Sequence, residues 1–480
     1  MIDMNRGFSS FLLRDDLLIA LLFFITYMLF APFLFTDPDV AWHIKAGDLI
    51  MRNASIPRYD NWSFAGSSQK WYNVSWAWDS CISLVHARLG LNKLYTLNCL
   101  IYALLIVFIY HSLKLWVKEA NETRLVVAGL SGIIIWDFVF LRPQIIACYL
   151  LLALNTLLKL YKDRLKQKFL VYVPLLLALW ANIHGSFILG LGIIFVHLLD
   201  ALYLKQYNRG KHLAITLIAS IIAVALNPYG INIYYAVLRT LNSEVSKHIA
   251  EWGQFNFGAM YGTSLVVSLY ILMDLLPRPK SEVRAVDKVV AFGSIFASLL
   301  SIRYFAILAV LAAPYMACRI KDYIEQEKVK KITVLEKFRK VVISLAILFA
   351  IYIMIFQDKA VIRNQVSIPL EEIEYIKQNY PNYKIFNNYN IGGYIIYYGE
   401  EKLKHFIDGR AGTVFSEEVI TDYLKFKSLT PGWQEIFNKY SIDGALISHS
   451  ELKYLEIYNF FGNWKEVYSG KYGKIFIKIR

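Results

Sequence analysis

Two aspartates stand two positions apart in the segment TDPDVAWHIKAGDLI, Asp37 and Asp39, and His43 follows four residues after the second. A carboxylate at a water–lipid boundary can serve as a general base or as a metal ligand, and partial burial raises its pKa toward working pH. Asp37 precedes Pro38, which reads as a helix start with an acceptor at the N-cap and proline at the first helical position. Asp37 thus has a capping explanation, and Asp39 a dipole one, beside any chemical role. Asp39 and His43 share a face of the helix that follows. That helix runs to about Asn53, carries Trp42, Ile44, Leu49 and Ile50, and is expected to lie along a membrane surface. Two carboxylates are too few ligands for a divalent cation by themselves. Magnesium or manganese at Asp37 and Asp39 is compatible with the pattern and not demanded by it.

Other polar residues fall near the ends of long apolar runs. Asp137 is a second carboxylate candidate, and it either assists catalysis or pairs with Arg142 five residues on. Arg142 can grip a phosphate bidentately or snorkel at the interface. His184, in WANIHGSF, can donate to a phosphate, carry a proton or be structural. Glu251, in EWGQF, is a third carboxylate or a surface-helix residue. Arg303 interrupts an apolar stretch in SIRYF, where a lone cation is costly unless it finds a phosphate, Asp39 or Glu251. Trp76 and Trp78 open a second helix that also carries Asp79. They stack on a sugar ring or form an interfacial belt. Asp408-Gly409-Arg410 reads as a turn. Gly392-Gly393-Tyr394 reads as a strand-to-helix junction whose backbone donors suit an anion.

The elements that must position these groups are mostly membrane helices. The chain has 480 residues, 57% of them hydrophobic and only 18% charged, which is too apolar for a soluble globular protein of this length. Eleven spans are expected, at 16–35, 93–113, 124–141, 144–161, 169–183, 186–204, 212–227, 263–277, 288–303, 304–318 and 340–356. The first reads as an uncleaved span, not a signal peptide. Lys and Arg concentrate in alternate connections, such as Lys159 to Lys168 and Arg319 to Lys340, which places those connections and the N-terminus in the cytoplasm. The net charge of +14 is then a topology signal, and no nucleic-acid partner is expected. The four cysteines have neither a disulfide framework nor metal spacing. After about Gln357, strand-like runs (KIFNNY, KHFIDG, GALIS, KIFIKI) alternate with helix-like ones (SEEVITDYLKF, GWQEIFNKY, ELKYLEIYNF), the pattern of a small α/β domain. The expected fold class is a polytopic α-helical membrane protein with a C-terminal soluble α/β domain. Residues 1–356 form the membrane module, with outer loop 36–92 bearing surface helices, and 357–480 form the extracytoplasmic domain.

This organisation resembles the GT-C superfamily of polyprenyl-phosphate-sugar glycosyltransferases, such as the protein mannosyltransferases and the aminoarabinose transferases of lipid A. The segments DPDVAWHIKAGDLI, IPRYDNWSF, LRPQ, WANIHGSF, NPYG, EWGQF, GGYIIY and FIDGR resemble more closely a group of uncharacterised bacterial membrane proteins of that architecture. No WWDYG-like sequence is present, which argues against the oligosaccharyltransferase branch. The resemblance implies a bacterial inner-membrane enzyme of the cell envelope. Its donor would be a sugar on a polyprenyl phosphate, and its acceptor a glycan, lipid or protein. Asp39 or Asp37, assisted by Asp137, would take the acceptor proton in a single inverting displacement. Arg142, Arg303 and His184 would hold the phosphate, with His43, Trp76 and Glu251 as further substrate contacts and no required cofactor. The other classes kept open are a transporter or flippase of lipid-linked sugars and a non-catalytic scaffold. Transporter sites sit near the bilayer midplane, whereas these polar groups gather at one face.

Overall fold

The computed structural model describes residues 15–30, 37–66, 69–136, 138–164, 166–242, 284–326 and 368–479. The chain forms two compact units. The first holds the helix Asp15–Phe30 and the described residues of 92–227 and 284–326. The second holds those of 37–91, 228–242 and 368–479.

The first unit is helical. Two stretches, Lys93–Leu115 and Gln144–Asp163, are long and apolar enough to cross a membrane, and Ile19–Met28, Lys168–Ala181 and Phe187–Tyr203 are shorter apolar helices. Helices Asn121–Trp136, Tyr207–Val224 and Ala285–Leu300 overlap stretches expected as further spans. The spans expected at 263–277 and 340–356 lie outside the described residues.

Two local departures from the expected spans have physical causes. The span expected to run to residue 141 stops being helical after Trp136, and the Tyr102 hydroxyl donates to the carbonyls of Phe138 (2.5 Å) and Phe140 (2.9 Å). Irregular backbone inside an apolar unit persists where a neighbour satisfies it in this way. The span expected at 304–318 is divided into Phe305–Leu311 and Ala313–Gln326. Pro314 lacks the N–H that a continuous helix would need there.

In the second unit, α1 (Pro38–Asn53) opens on Asp37, whose side chain accepts from the Asp39 backbone N–H at 3.1 Å. Helix α2 (76–89) ends at Gly90, whose φ of 73° and ψ of 174° break a long helical stretch in two. Glycine tolerates this backbone because it has no Cβ. Helices α3 (Asn232–Leu241), α4 (Leu370–Asn379), α5 (Gly392–Tyr398), α6 (Glu417–Lys427), α7 (Glu435–Lys439) and α8 (Leu455–Phe461) complete the unit's longer helical elements.

They surround strands β1 (Lys384–Asn387), β2 (Lys404–His405), β3 (Gly444–Ser448), β4 (Lys465–Ser469) and β5 (Gly473–Ile477), in the order β2-β1-β3-β5-β4. The β1 strand pairs parallel with β2 and β3, and β5 pairs antiparallel with β3 and β4. Side chains alternate between two cores, as the period of a strand requires. Phe386, Ala445, Ile447 and Phe476 enter one core; Ile385, Leu446, Ile475 and Ile477 enter the other.

The segment after the first apolar helix is part of this core. Trp42, Ala46, Trp62 and Trp71 pack with Phe386, Phe406 and Ile407, while Ala41 joins the opposite core. A backbone bridge between Ser63 and His405 extends the sheet at β2. Protein buries Val40, Ala41, Trp42, His43, Ile44, Ala46, Gly47 and Ile50 of α1, the helix expected at a membrane surface. Small residues permit this enclosure. A Cβ on Gly47 would overlap the Asp79 carbonyl of α2, and one on Gly393 would overlap the Pro38 carbonyl.

Candidate active site

The first turn of α1 displays Asp39 at the start of the loop that follows the first apolar helix. Asp39 is half-buried, and its Oδ1 accepts from the Trp42 indole N–H at 3.0 Å. Asp37 is buried at 3% exposure and acts as the N-cap of α1. The sequence left capping and chemistry open for Asp37, and the capping geometry is present.

His43 lies one turn further along α1. Its ring stacks on Trp42, and its Nδ1 is 2.5 Å from Asp79 Oδ1 on α2. Asp79 is fully buried, and its second oxygen accepts from Asn73 Nδ2 at 2.7 Å. Burial raises the Asp79 pKa above its ordinary value, and the His43 and Asn73 bonds only partly offset this. Asp39 and His43 share a helix face, yet each takes a different partner. Trp76 is half-buried at the start of α2, with its backbone N–H 3.4 Å from the Asn73 carbonyl.

A second group of charges supports the first turn of α1. Arg410 is buried, with Nε donating to Asp408 Oδ1 (2.9 Å), Nη2 to Asp408 Oδ2 (2.6 Å) and Nη1 to Asp60 Oδ1 (2.7 Å). Its guanidinium lies 4.8 Å from both the Trp62 and Trp71 ring centroids. His405 Nε2 adds a 2.6 Å bond to Asp408, and the Ser63 hydroxyl bonds Asp60. Burial alone would raise both carboxyls, but the Arg410 guanidinium holds Asp60 below its ordinary value and Asp408 well below it. Burial would also weaken the Arg410 charge, and the two carboxylates more than reverse that.

Gly409, between two members of this group, packs directly on Asp39. A Cβ there would overlap Asp39 Oδ1 and crowd the Trp42 indole nitrogen. Asp408-Gly409-Arg410, which the sequence marks only as a turn, therefore forms one wall around Asp39. Gly392 and Gly393, where the sequence offers backbone donors to an anion, pack closely against their neighbours. Cβ positions there would fall on the Ile407 and Pro38 carbonyls.

Two further candidates belong to the first unit. Arg142 follows the irregular segment after Trp136, with its guanidinium 5.4 Å from the Phe140 ring centroid. His184 Nδ1 is 2.7 Å from the Ser186 hydroxyl and accepts from the Ser186 N–H at 3.2 Å. Arg303 falls in the short helical turn Ile302–Tyr304, and its side chain lies outside the described residues, as do Asp137 and Glu251.

Among the described residues, no three His, Cys, Asp or Glu side chains gather as a metal ligand set. Asp37 and Asp39 supply two carboxylates, whereas a hard divalent cation takes about six or more oxygens. The described residues do not form a metal site.

Sequence reasoning did not single out Asp60, Asn73, Asp79, His405 or Arg410 as site residues. IPRYDNWSF and FIDGR hold the two ends of the Asp60–Arg410 pair, but nothing in either segment points to the other.

No protein-family model and no curated protein sequence matches the chain. Solved structures do. The oligosaccharyltransferase of Archaeoglobus fulgidus, tethered to an acceptor peptide containing an NVT sequon, aligns with a TM-score of 0.57 at 11% identity, covering 97% of this chain and 74% of that one. The oligosaccharyltransferase AglB from the same organism, in complex with an inhibitory peptide and a dolichol-phosphate, gives 0.56 at 10% identity, over 93% and 70%. ArnT from Cupriavidus metallidurans bound to undecaprenyl phosphate gives 0.52 at 11% identity, over 98% of both chains. This chain has the fold of the GT-C glycosyltransferases that AglB and ArnT represent.

Proposed function

We propose that the protein is a membrane glycosyltransferase that moves a sugar from a polyprenyl phosphate to an extracytoplasmic acceptor hydroxyl with inversion. The observation that carries this reading is the placement of Asp39. In a chain with the GT-C fold, it stands on the first turn of α1, half-buried and oriented by the Trp42 indole and Gly409.

In this reading the Asp39 carboxylate takes the acceptor proton as the acceptor oxygen attacks the anomeric carbon. The bond from that carbon to the phosphate oxygen breaks, and polyprenyl phosphate leaves as the anion. Accelerations of roughly 10²–10⁴ are typical of a positioned general base. Asp37 caps the helix that carries the base. Arg142, Arg303 and His184 are assigned to the phosphate on chemistry, since guanidinium groups hold it bidentately and stabilise charge on a leaving group. Asp137 and Glu251 are held as auxiliary carboxylates, and His43 and Trp76 as sugar contacts. The solved relatives carry dolichol-phosphate and undecaprenyl phosphate, which supports a lipid-linked donor here. Eleven membrane crossings, a cytoplasmic N-terminus and a bacterial inner membrane belong to the same proposal.

The test is mass spectrometry of lipids that co-purify with the protein in mild detergent, beside an Arg142→Ala/Arg303→Ala variant. A polyprenyl-phosphate sugar present in the wild type and lost in the variant supports the donor assignment and identifies the sugar. Its absence from both, or equal amounts in both, overturns the phosphate assignment.

A further inference from the structure

The second unit contains an open pocket of about 340 Å³ between residues 58–72 and 228–232. This lies near the lower end of the ~300–1,000 Å³ typical of small-molecule sites. Its charged lining groups, Arg58 and Lys70, are both cationic and both exposed. The acidic residue of the same loop, Asp60, is buried against Arg410 instead. Trp71, Tyr72 and Tyr229 supply aromatic walls, and Asn232 supplies an exposed amide.

The walls are held in place before any ligand arrives. Arg58 Nη2 donates to the Pro228 carbonyl at 3.0 Å, and its guanidinium lies 4.9 Å from the Tyr229 ring centroid. Tyr72 packs on Tyr229 with centroids 5.5 Å apart, and Trp71 is fixed from behind by Trp62 and Arg410. The Tyr229 hydroxyl accepts from the Asn73 backbone N–H at 2.8 Å. Asn73 in turn donates to Asp79, which holds His43 on α1. A chain of hydrogen bonds therefore connects the pocket wall to the helix that bears Asp39.

We propose that this pocket is a carbohydrate site and that it takes an anionic sugar, a uronic acid or a sugar phosphate. The proposal goes beyond the transferase reading above by adding a carbohydrate site apart from Asp39. Aromatic faces suit the apolar face of a sugar ring, an amide suits its hydroxyls, and paired cations suit one acidic group.

The experiment is binding of soluble probes to the full-length protein in nanodiscs of zwitterionic lipid, by titration calorimetry and saturation-transfer NMR. The probes are glucuronic acid, glucose 6-phosphate, glucose and inorganic phosphate. Both acidic sugars are expected to bind at least roughly tenfold more tightly than glucose or phosphate. Lys70→Glu is expected to remove that preference, and Tyr72→Ala to weaken every sugar while sparing phosphate. Both side chains lie outside the buried core, and unchanged thermal melting establishes that the variants fold. Equal binding of phosphate and glucose 6-phosphate overturns the proposal, as does full affinity for the acidic sugars in Lys70→Glu or no binding by any sugar. The measurement needs neither donor nor turnover, so its failure leaves the transferase reading to be judged by the donor-lipid experiment.

Discussion

Arg410 Nη1 donates to Asp60 Oδ1 across 2.7 Å, although the two residues stand 350 positions apart in the chain. One comes from the loop after the first apolar helix, the other from the turn after β2. Their pairing is desolvated on all sides, with both side chains at 0% exposure. A buried pair of this kind stabilises little compared with an apolar replacement, but leaving one partner alone costs about 3–5 kcal/mol. Arg410→Met is therefore expected to destabilise the second unit severely, because it strands Asp60 and Asp408. Lys in its place cannot reproduce the fork that reaches both carboxylates. Thermal melting in detergent checks the ordering wild type, then Lys, then Met.

The same group sets an acid limit. Asp60 and Asp408 are both held below the ordinary carboxylate value of 3.8 in the folded chain. A lowered folded pKa contributes stability that is present above the unfolded value and lost as pH falls through the folded one. The second unit should accordingly keep this contribution down to about pH 4 and lose it only in stronger acid. In Arg410→Met, burial dominates and raises both carboxyls above the unfolded value, so their contribution changes sign: the variant is destabilised at neutral pH and regains part of that loss as pH falls through the raised values. Thermal melting of both proteins between neutral pH and about pH 4 measures this, and a deficit of the variant that does not shrink on acidification would contradict the assignment.

Asp37 and Asp39 can be separated by the choice of replacement. Asparagine caps a helix about as well as aspartate, whereas alanine costs roughly 1 kcal/mol. Asp37→Asn is expected to retain both stability and transfer, and Asp37→Ala to lose stability by that amount. Asp39→Asn should keep the fold while transfer falls by about 10²–10⁴, the range for loss of a positioned base. Sugar transfer and thermal melting measured on the same preparations decide the roles. Full activity in Asp39→Asn would remove it as the base.

The helix start at Asp37-Pro38 was legible because capping is a local event, with donor and acceptor only two residues apart. Strands β1, β3 and β5 were legible because they carry enough apolar residues to mark a strand, and β2 (Lys404–His405) because Phe406 and Ile407 follow it directly. Strand β4, KEVYS, was missed because none of its five residues is buried, so it has no apolar alternation to read. The Asp60–Arg410 pair was invisible for a different reason. A turn reading fully accounts for Asp-Gly-Arg locally, and only tertiary structure brings the distant carboxylate. The enclosure of α1 was missed because Trp42, Ile44 and Ile50 fit a helix on a membrane as well as one in a protein core. The two surroundings differ in the small residues that let neighbours approach, Gly47 on α1 and Gly393 on α5.

Two glycine replacements test whether the Asp-Gly-Arg turn positions Asp39 or merely supports the fold. A Cβ on Gly393 would meet the Pro38 backbone carbonyl, which cannot move without displacing α1. Gly393→Ala should therefore lower stability strongly. A Cβ on Gly409 would meet the Asp39 carboxylate oxygen, the end of a side chain that can rotate away. That rotation breaks the bond from the Trp42 indole, a neutral-to-charged bond of about 1.5–3 kcal/mol. Misplacing a catalytic group by about 1 Å can cost about 10² in rate. Gly409→Ala should thus lose transfer activity by at least tenfold while its melting temperature falls far less than that of Gly393→Ala. If both variants lose stability and activity in parallel, Gly409 is a packing residue and the turn has no positioning role.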